Sequence, residues 1–149
     1  MEKHDPRIPP LSIVLGFGPA LAIPVLAAVA WLAGDPFLVA AAVALGRVWA
    51  AAILIFLAGV TRGLSFFTAD GPRWSQIATT MLRFLLGLAG LLLPLGWAFV
   101  ALMLGYASVA LTDLRDARTG AAPAHFARLR VPQMALALVG LLALLVRVG

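Results

Sequence analysis

The sequence predicts an all-α integral membrane protein, a bundle of five transmembrane helices. Of its 149 residues, 63% are hydrophobic and only 11% are charged, whereas about a quarter of the residues in a soluble domain are charged. The apolar residues form five runs of roughly the 20 residues that cross a bilayer, at about 11–32, 37–60, 77–93, 95–112 and 131–148. Residues 1–149 are therefore expected to form a single membrane domain.

The first two spans are joined by a tight hairpin. Span one carries no charge, and Pro19 and Pro24 within it remove backbone donors, which predicts a kink. The Gly-Asp-Pro stretch at 34–36 leaves room only for a tight turn into span two. Span two is a continuous apolar run that a single charge, Arg47, interrupts.

The third and fourth spans form a second hairpin. A polar stretch over 61–76 leads into span three, and residues 93–97 predict another tight turn before span four. Both tight hairpins fall on the same side of the bundle. An alternative with four spans merges spans three and four into one re-entrant hairpin and places both termini on the same side.

The polar loop before span five is predicted to contain helical structure. The helix of span four can continue to Arg118 and stop at Gly120, which suits a helix C-terminus. A short surface helix over 124–130 is then expected before Pro132 and span five. The alternative is a solvated loop that only sets the topology.

The basic residues predict the orientation, because cytoplasmic loops carry an excess of lysine and arginine. With a cytoplasmic N-terminus, only Arg147 lies on the opposite side. The cytoplasmic side then holds eight basic residues: Lys3, Arg7, Arg62, Arg73, Arg115, Arg118, Arg128 and Arg130. We therefore predict N-in/C-out topology in a bacterial inner membrane, with both tight hairpins outside.

Arg47 is the first candidate for a binding residue. A charge inside a membrane span is expensive, and the alanines at 40, 44, 51 and 58 share its helix face, which is typical of a packed surface. No Asp or Glu lies inside any predicted span. Arg47 could bond to carbonyls that Pro19 or Pro24 leaves without donors. Alternatively, it binds a partner's carboxylate, a lipid phosphate or an acidic group of a cofactor.

Arg83 is the second intramembrane charge and belongs to the same predicted partner- or anion-binding set. A hairpin at 93–97 places it level with Tyr106, so the Tyr106 hydroxyl or Ser108 could accept its hydrogen bonds. If Arg83 approached Arg47, their repulsion would require an anion between them.

The arginines at the cytoplasmic boundary are predicted to contact lipid headgroups. Arg128 and Arg130 would face anionic headgroups from the surface helix, and Arg62 would do so from the end of span two.

The sequence lacks the residues that most catalytic reactions require. There is no cysteine, and the two histidines, His4 and His125, flank the predicted spans rather than lie in them. Haem ligation, metal binding and acid–base catalysis inside the membrane therefore have no obvious residues. The basic residues form no soluble patch for nucleic acid. We expect no enzyme, no cofactor and no metal site.

Two segments resemble a known family. PAHFARLRVPQ at 123–133, with Asp113 and Gly120 before it, is similar to the last block of the domain of unknown function 3429 family, which includes transmembrane-protein-69-like proteins. FLAGVTRG at 56–63 resembles that family's F-L-G-G-x-H-W-G block, but Thr61 and Arg62 replace its His-Trp pair. The resemblance implies a small integral membrane protein and transfers no activity.

These observations lead to two functional hypotheses. The first is a non-catalytic accessory or assembly subunit of a larger respiratory or photosynthetic complex, with other membrane-protein subunits and membrane lipids as partners. The alternative is a small transporter or a lipid- or anion-binding membrane protein that uses its intramembrane arginines.

Overall fold

The structure, a computed structural model, describes residues 10–69, 71–118 and 124–149. Within these ranges the chain forms five α-helices and no strand: α1 (Pro10–Leu32), α2 (Pro36–Ser65), α3 (Trp74–Leu92), α4 (Leu95–Arg118) and α5 (Ala124–Val148). All five helices are long and apolar enough to cross a membrane. The predicted all-helical architecture with five candidate spans is confirmed.

Local sequence explains the turn between α1 and α2. Asp35 is the N-cap of α2, and its Oδ1 accepts a hydrogen bond of 3.1 Å from the backbone N–H of Phe37. Pro36 occupies the first helical position, where its missing N–H removes no helical hydrogen bond. The cap and the proline therefore start α2 immediately after α1 ends, as the sequence predicts.

The turn between α3 and α4 is shorter still. Only residues 93 and 94 separate the two helices. The Leu93 N–H donates to the Ala89 carbonyl, and the Pro94 carbonyl accepts from the Ala98 N–H. Both predicted tight hairpins are therefore present. They share one end of the bundle, which we call the hairpin end.

Two helix boundaries differ from those expected. α2 continues past residue 60 to Ser65. α5 is a single helix from Ala124 that contains Pro132, so the prediction of a separate surface helix over 124–130 is wrong. A proline removes only one backbone donor, and apolar helices that pack against neighbours tolerate this loss. The predicted stop at Gly120 lies outside the described residues.

The helices form a closed ring. Each helix packs against the next, α5 packs against α1, and α2 also contacts α4 and α5 across the interior. Because the number of helices is odd, α1 and α5 run parallel while all other ring neighbours run antiparallel. The apolar core comes from α1, α2, α4 and α5. The buried residues of α3 are instead polar or small: Thr80, Arg83, Gly87 and Gly90.

Tryptophans lie at both ends of the bundle. Trp31 and Trp97 are exposed at the hairpin end, and Trp74 is exposed at the opposite end, where α3 begins. Trp31 and Trp74, at the two ends of the bundle, agree with rings at the two interfaces of a membrane, whereas Trp97 lies beside the α3–α4 turn. The N-in/C-out orientation remains a prediction.

The backbones of α1 and α5 approach each other closely at Gly140. A Cβ added there would lie 2.7 Å from the backbone nitrogen of Pro24 and 2.9 Å from its Cα, whereas a Cβ at Gly18 would have no atom within 4 Å. Backbone atoms cannot rotate away as a side chain can. The α1–α5 contact therefore depends on glycine at position 140.

We expect Gly140→Ala to lower the free energy of unfolding by about 1.5 kcal/mol, because the helices must separate to admit the methyl group. Gly18→Ala is the matched control and should be neutral or slightly stabilising, since alanine favours a helix more than glycine does. Equilibrium unfolding in detergent micelles measures both. Equal effects of the two substitutions would contradict the close approach.

Candidate functional site

Arg47 binds the C-terminal end of α3. Its Nε donates to the Gly90 carbonyl at 2.7 Å and its Nη2 donates to the Leu93 carbonyl at 2.9 Å, with a further hydrogen bond from Nη2 to the Leu91 carbonyl. The last carbonyls of a helix have no helical N–H to accept from, and the helix dipole favours a cation there. Arg47 therefore acts as a side-chain cap of α3.

The position of Arg47 follows from the lengths of α2 and α3. The two helices are antiparallel, so counting back from the Ser65–Trp74 connection places residue 47 opposite residue 92, where α3 ends. α2 continues from Arg47 to Pro36, a further rise of about 16 Å at 1.5 Å per residue. The α3–α4 hairpin therefore ends well short of the α1–α2 hairpin, and Arg47 lies beside that lower turn.

The carbonyl partners of Arg47 come from α3 and not from α1 as the sequence suggested. In α1, the Pro19 carbonyl instead accepts a hydrogen bond of 2.9 Å from Trp49 Nε1. Backbone carbonyls are the partners of Arg47, as one of the two alternatives predicted, but they belong to the end of α3 and not to α1.

Arg83 forms a second, more deeply buried polar cluster. Its side chain is 3% exposed. Its Nη1 donates to Thr61 Oγ1 at 2.5 Å, and its Nη2 donates to the Ser108 carbonyl at 3.3 Å and to Thr112 Oγ1. These contacts join α3 to α2 and to α4. Ser108 is thus an acceptor, as expected, although through its backbone carbonyl.

Tyr106 has a different partner. It is fully buried, and its hydroxyl donates to the Ala50 carbonyl at 3.0 Å, which links α4 to α2. Its role in binding a partner or an anion remains a prediction.

Arg47 and Arg83 lie apart along the α2–α3 interface. Their contacts place Arg47 at the C-terminal end of α3 and Arg83 beside Thr61, near the other end of α2. Positions 47 and 61 on α2 are separated by about 21 Å of helix rise. The structure therefore does not bring these two arginines together around a shared anion.

Arg47 instead shares a cavity with Arg147. The cavity has a volume of about 600 Å³ and lies above the α3–α4 hairpin, against the first half of α2. Leu91 and Leu95 line it from below, and apolar residues of the α1–α2 hairpin line its wall. Apart from the two arginines, none of the described residues that line it is charged.

Arg147 caps α1 as Arg47 caps α3. Its Nε donates to the Ala30 carbonyl at 3.0 Å, and its guanidinium carbon lies 5.9 Å from the centre of the Trp31 ring. Both arginines thus bind the C-terminal carbonyls of a neighbouring helix. Arg147 is not among the site residues that the sequence predicts. The predicted topology could have indicated this residue, since span five ends on the same side as both hairpins.

Each of these arginines keeps donors beyond those contacts. Among the described residues, the Nη1 group of Arg47 and both Nη groups of Arg147 have no hydrogen-bond acceptor. Two like charges that line one cavity repel each other, and an anion between them removes that repulsion. A guanidinium with two neighbouring N–H groups suits the oxygens of a phosphate or carboxylate.

The arginines predicted to contact headgroups have partners within the chain. Arg62 Nη1 donates to Ser65 Oγ at 2.9 Å, and its guanidinium carbon lies 4.3 Å from the centre of the Phe66 ring. Arg130 Nε lies 3.4 Å from Asp113 Oδ2. The side chain of Arg128 lies outside the described residues. Headgroup contact by these residues remains a prediction.

The fold and the cavity define a class of protein: a five-helix bundle of candidate membrane spans with an arginine-lined cavity at one end. Among the described residues, no group of three or more His, Cys, Asp or Glu side chains could hold a metal ion. In comparisons with known proteins, the chain matches no family model, no curated protein and no solved structure. Membership of the domain of unknown function 3429 family therefore remains a prediction.

Proposed function

We propose that the protein is a non-catalytic, multi-pass membrane protein that binds an anionic amphiphile in the cavity at the hairpin end. The observation that carries this proposal is that Arg47 and Arg147 line one cavity of about 600 Å³ whose other described lining residues are uncharged. The ligand is a molecule with a phosphate or carboxylate group and an apolar part. The binding residues proposed here are Arg47 and Arg147, in place of Arg47 and Arg83.

The arrangement of the two guanidinium groups supports anion binding. Each is held in place by helix carbonyls, which reduces the side-chain entropy that binding would otherwise remove. Each also retains Nη donors for a ligand. The apolar wall around them lowers the local dielectric constant and so strengthens a charge-assisted hydrogen bond. The cavity thus combines fixed positive charge with an apolar surface, and an amphiphilic anion complements both.

The hypothesis of an accessory subunit remains a prediction. Part of its basis was an intramembrane arginine without an acceptor in its own chain. Arg47 has three backbone acceptors at the end of α3, so a partner's carboxylate is not needed to stabilise it. The arginine-lined cavity favours the second hypothesis, ligand binding.

The proposed setting is a bacterial inner membrane with five crossings and the cavity at the outer face. The lengths of the helices support five crossings over four. α3, the shortest helix, has 19 residues and rises about 28 Å, close to the thickness of a hydrocarbon core of about 30 Å.

We expect Arg147→Gln to weaken the binding of anionic lipid about tenfold, because one charge-assisted hydrogen-bonding partner is lost. Phosphatidylglycerol retention in phosphatidylcholine nanodiscs, followed by native mass spectrometry, measures the effect. A parallel titration with inorganic phosphate distinguishes a lipid from a free anion. Arg147→Lys should bind with intermediate affinity, since it keeps the charge without the guanidinium geometry.

The matched control is Arg73→Gln, which removes the same charge from an exposed position at the opposite end of the bundle. It should leave retention unchanged. If Arg73→Gln and Arg147→Gln have the same effect, the positive charge of the whole protein attracts the lipid, and the proposed site is wrong.

A further inference from the structure

We infer that the ligand of the hairpin-end cavity is a phospholipid whose acyl chain lies in a groove between α1 and α5. This inference rests on the proposed function and adds the chemical class and the orientation of the ligand. Its basis is a second depression, whose described lining residues are apolar and include Trp31, the residue whose ring lies 5.9 Å from the guanidinium carbon of Arg147.

The groove has a volume of about 360 Å³. It is lined on one side by residues of α1 between Pro24 and Leu32, and on the other by Val139, Gly140 and Ala143 of α5. Pro24 and Gly140, the residues of the close α1–α5 contact, line it from opposite sides. None of its lining residues within the described part of the chain carries a charge.

The groove and the cavity adjoin at the end of α1. Leu32 lines the groove, and the next residue, Ala33, lines the cavity. Trp31 lines the groove as well and lies 5.9 Å from the guanidinium carbon of Arg147, a cavity residue. In the inferred arrangement, a ligand held by Arg147 extends past the Trp31 ring into the groove.

Trp31 makes an apolar wall at this junction. Its Nε1 donates to the Ala143 carbonyl at 2.9 Å, so the only polar group of the side chain is already bonded to the protein. Ala143 lies one helical turn before Arg147. From Arg147 the surface thus changes from cationic to purely apolar within one turn.

The direction of the groove fits an acyl chain. From Leu32 to Pro24 it follows α1 for about 12 Å, parallel to the helix axes and hence to the lipid chains around a membrane-spanning bundle. A phospholipid has a phosphate followed by hydrocarbon chains. The protein presents the arginine-lined cavity at the end of α1 and then the apolar groove along α1 and α5, in the same order. An inorganic anion would use the cavity and leave the groove empty.

Fluorescence of Trp31 tests this arrangement. The other tryptophans are replaced by phenylalanine (Trp49→Phe, Trp74→Phe and Trp97→Phe), and the protein is placed in phosphatidylcholine nanodiscs. A few per cent of phosphatidylglycerol with brominated acyl chains is then added. We expect it to quench Trp31 strongly, and brominated phosphatidylcholine at the same fraction to quench it only weakly. Unlabelled phosphatidylglycerol should reverse the quenching.

Ala28→Leu fills the groove without touching the arginines, because Ala28 is an exposed residue of α1 that lines the groove. It should weaken the quenching by phosphatidylglycerol about tenfold, since contacts of several methylene groups are lost. Ala52→Leu is the matched control: Ala52 is exposed on α2 and lines neither depression. It should leave quenching unchanged. Thermal unfolding confirms that both variants are folded.

The two proposals fail in different ways. If phosphatidylglycerol retention depends on Arg147 but Trp31 is quenched no more by brominated phosphatidylglycerol than by brominated phosphatidylcholine, the acyl chain lies elsewhere and only this inference is wrong. The same holds if Ala28→Leu and Ala52→Leu behave alike. If neither phosphatidylglycerol nor phosphate binding depends on Arg147, both proposals are overturned.

Discussion

Arg47→Leu is expected to lower the free energy of unfolding by about 4 kcal/mol, the largest effect of any single substitution considered for this protein. The substitution removes the donors of three backbone carbonyls at the end of α3. A buried carbonyl that loses its donor costs about 1–3 kcal/mol, and partial hydration at the turn reduces the sum for the three carbonyls. The loss of a cation near the helix C-terminus adds a smaller term.

Unfolding in micelles by denaturant measures the total effect, and amide hydrogen exchange locates it. We expect faster exchange in the last turn of α3 than in α1. Arg47→Lys should be intermediate, because one ammonium group cannot reach all three carbonyls. Arg73→Leu, at an exposed position, is the control. A loss for Arg47→Leu no larger than that for Arg73→Leu would show that the cap does not stabilise α3.

The second large effect concerns the acceptors around Arg83. Replacing Thr61 and Thr112 together by valine should lower the free energy of unfolding by about 3 kcal/mol. Each substitution keeps the shape of the side chain and removes a hydroxyl that accepts from the guanidinium. Arg83 is 3% exposed, so water cannot readily replace these acceptors.

Thr79→Val provides a matched control for the double variant. The Thr79 hydroxyl bonds to the Ser75 carbonyl of its own helix, as the Thr112 hydroxyl bonds to the Ser108 carbonyl. Of these two hydroxyls, that of Thr112 also accepts from Arg83, and that of Thr79 does not. Adding Arg83→Met to the double variant should restore part of the lost stability, because the charge that needs the acceptors is removed. If the double variant is no less stable than Thr79→Val, these hydroxyls do not stabilise the buried charge.

The sequence predicts best those parts of the fold that depend on neighbouring residues. Asp35 and Pro36 specify the start of α2 through a cap and a fixed backbone angle. The five apolar runs likewise predict the helices, because each run is by itself long enough to cross a bilayer. These features need no knowledge of what each helix packs against.

Features that depend on packing were harder to predict. Pro132 indicates a helix boundary when only its missing N–H is considered, yet α5 continues through it while packed against α1 and α4. The partners of Arg47 depend on where α3 ends relative to α2, which is a matter of length and register. Predicting Arg147 as a site residue required the knowledge that the first and last helices are neighbours. The apolar runs alone do not show which helices lie next to each other.

The neighbouring placement of α1 and α5 also bears on how the chain is made. Trp31 bonds to Ala143 and Arg147 bonds to Ala30, across 112 and 117 residues of sequence. During synthesis, α1 to α4 can emerge and pair as local hairpins, whereas these contacts must wait for the fifth helix. The arginine-lined cavity and the adjoining groove both include residues of α5, so neither is complete before it docks. A lipid bound between α1 and α5 would therefore be present only on a fully assembled molecule and would distinguish it from a nascent one.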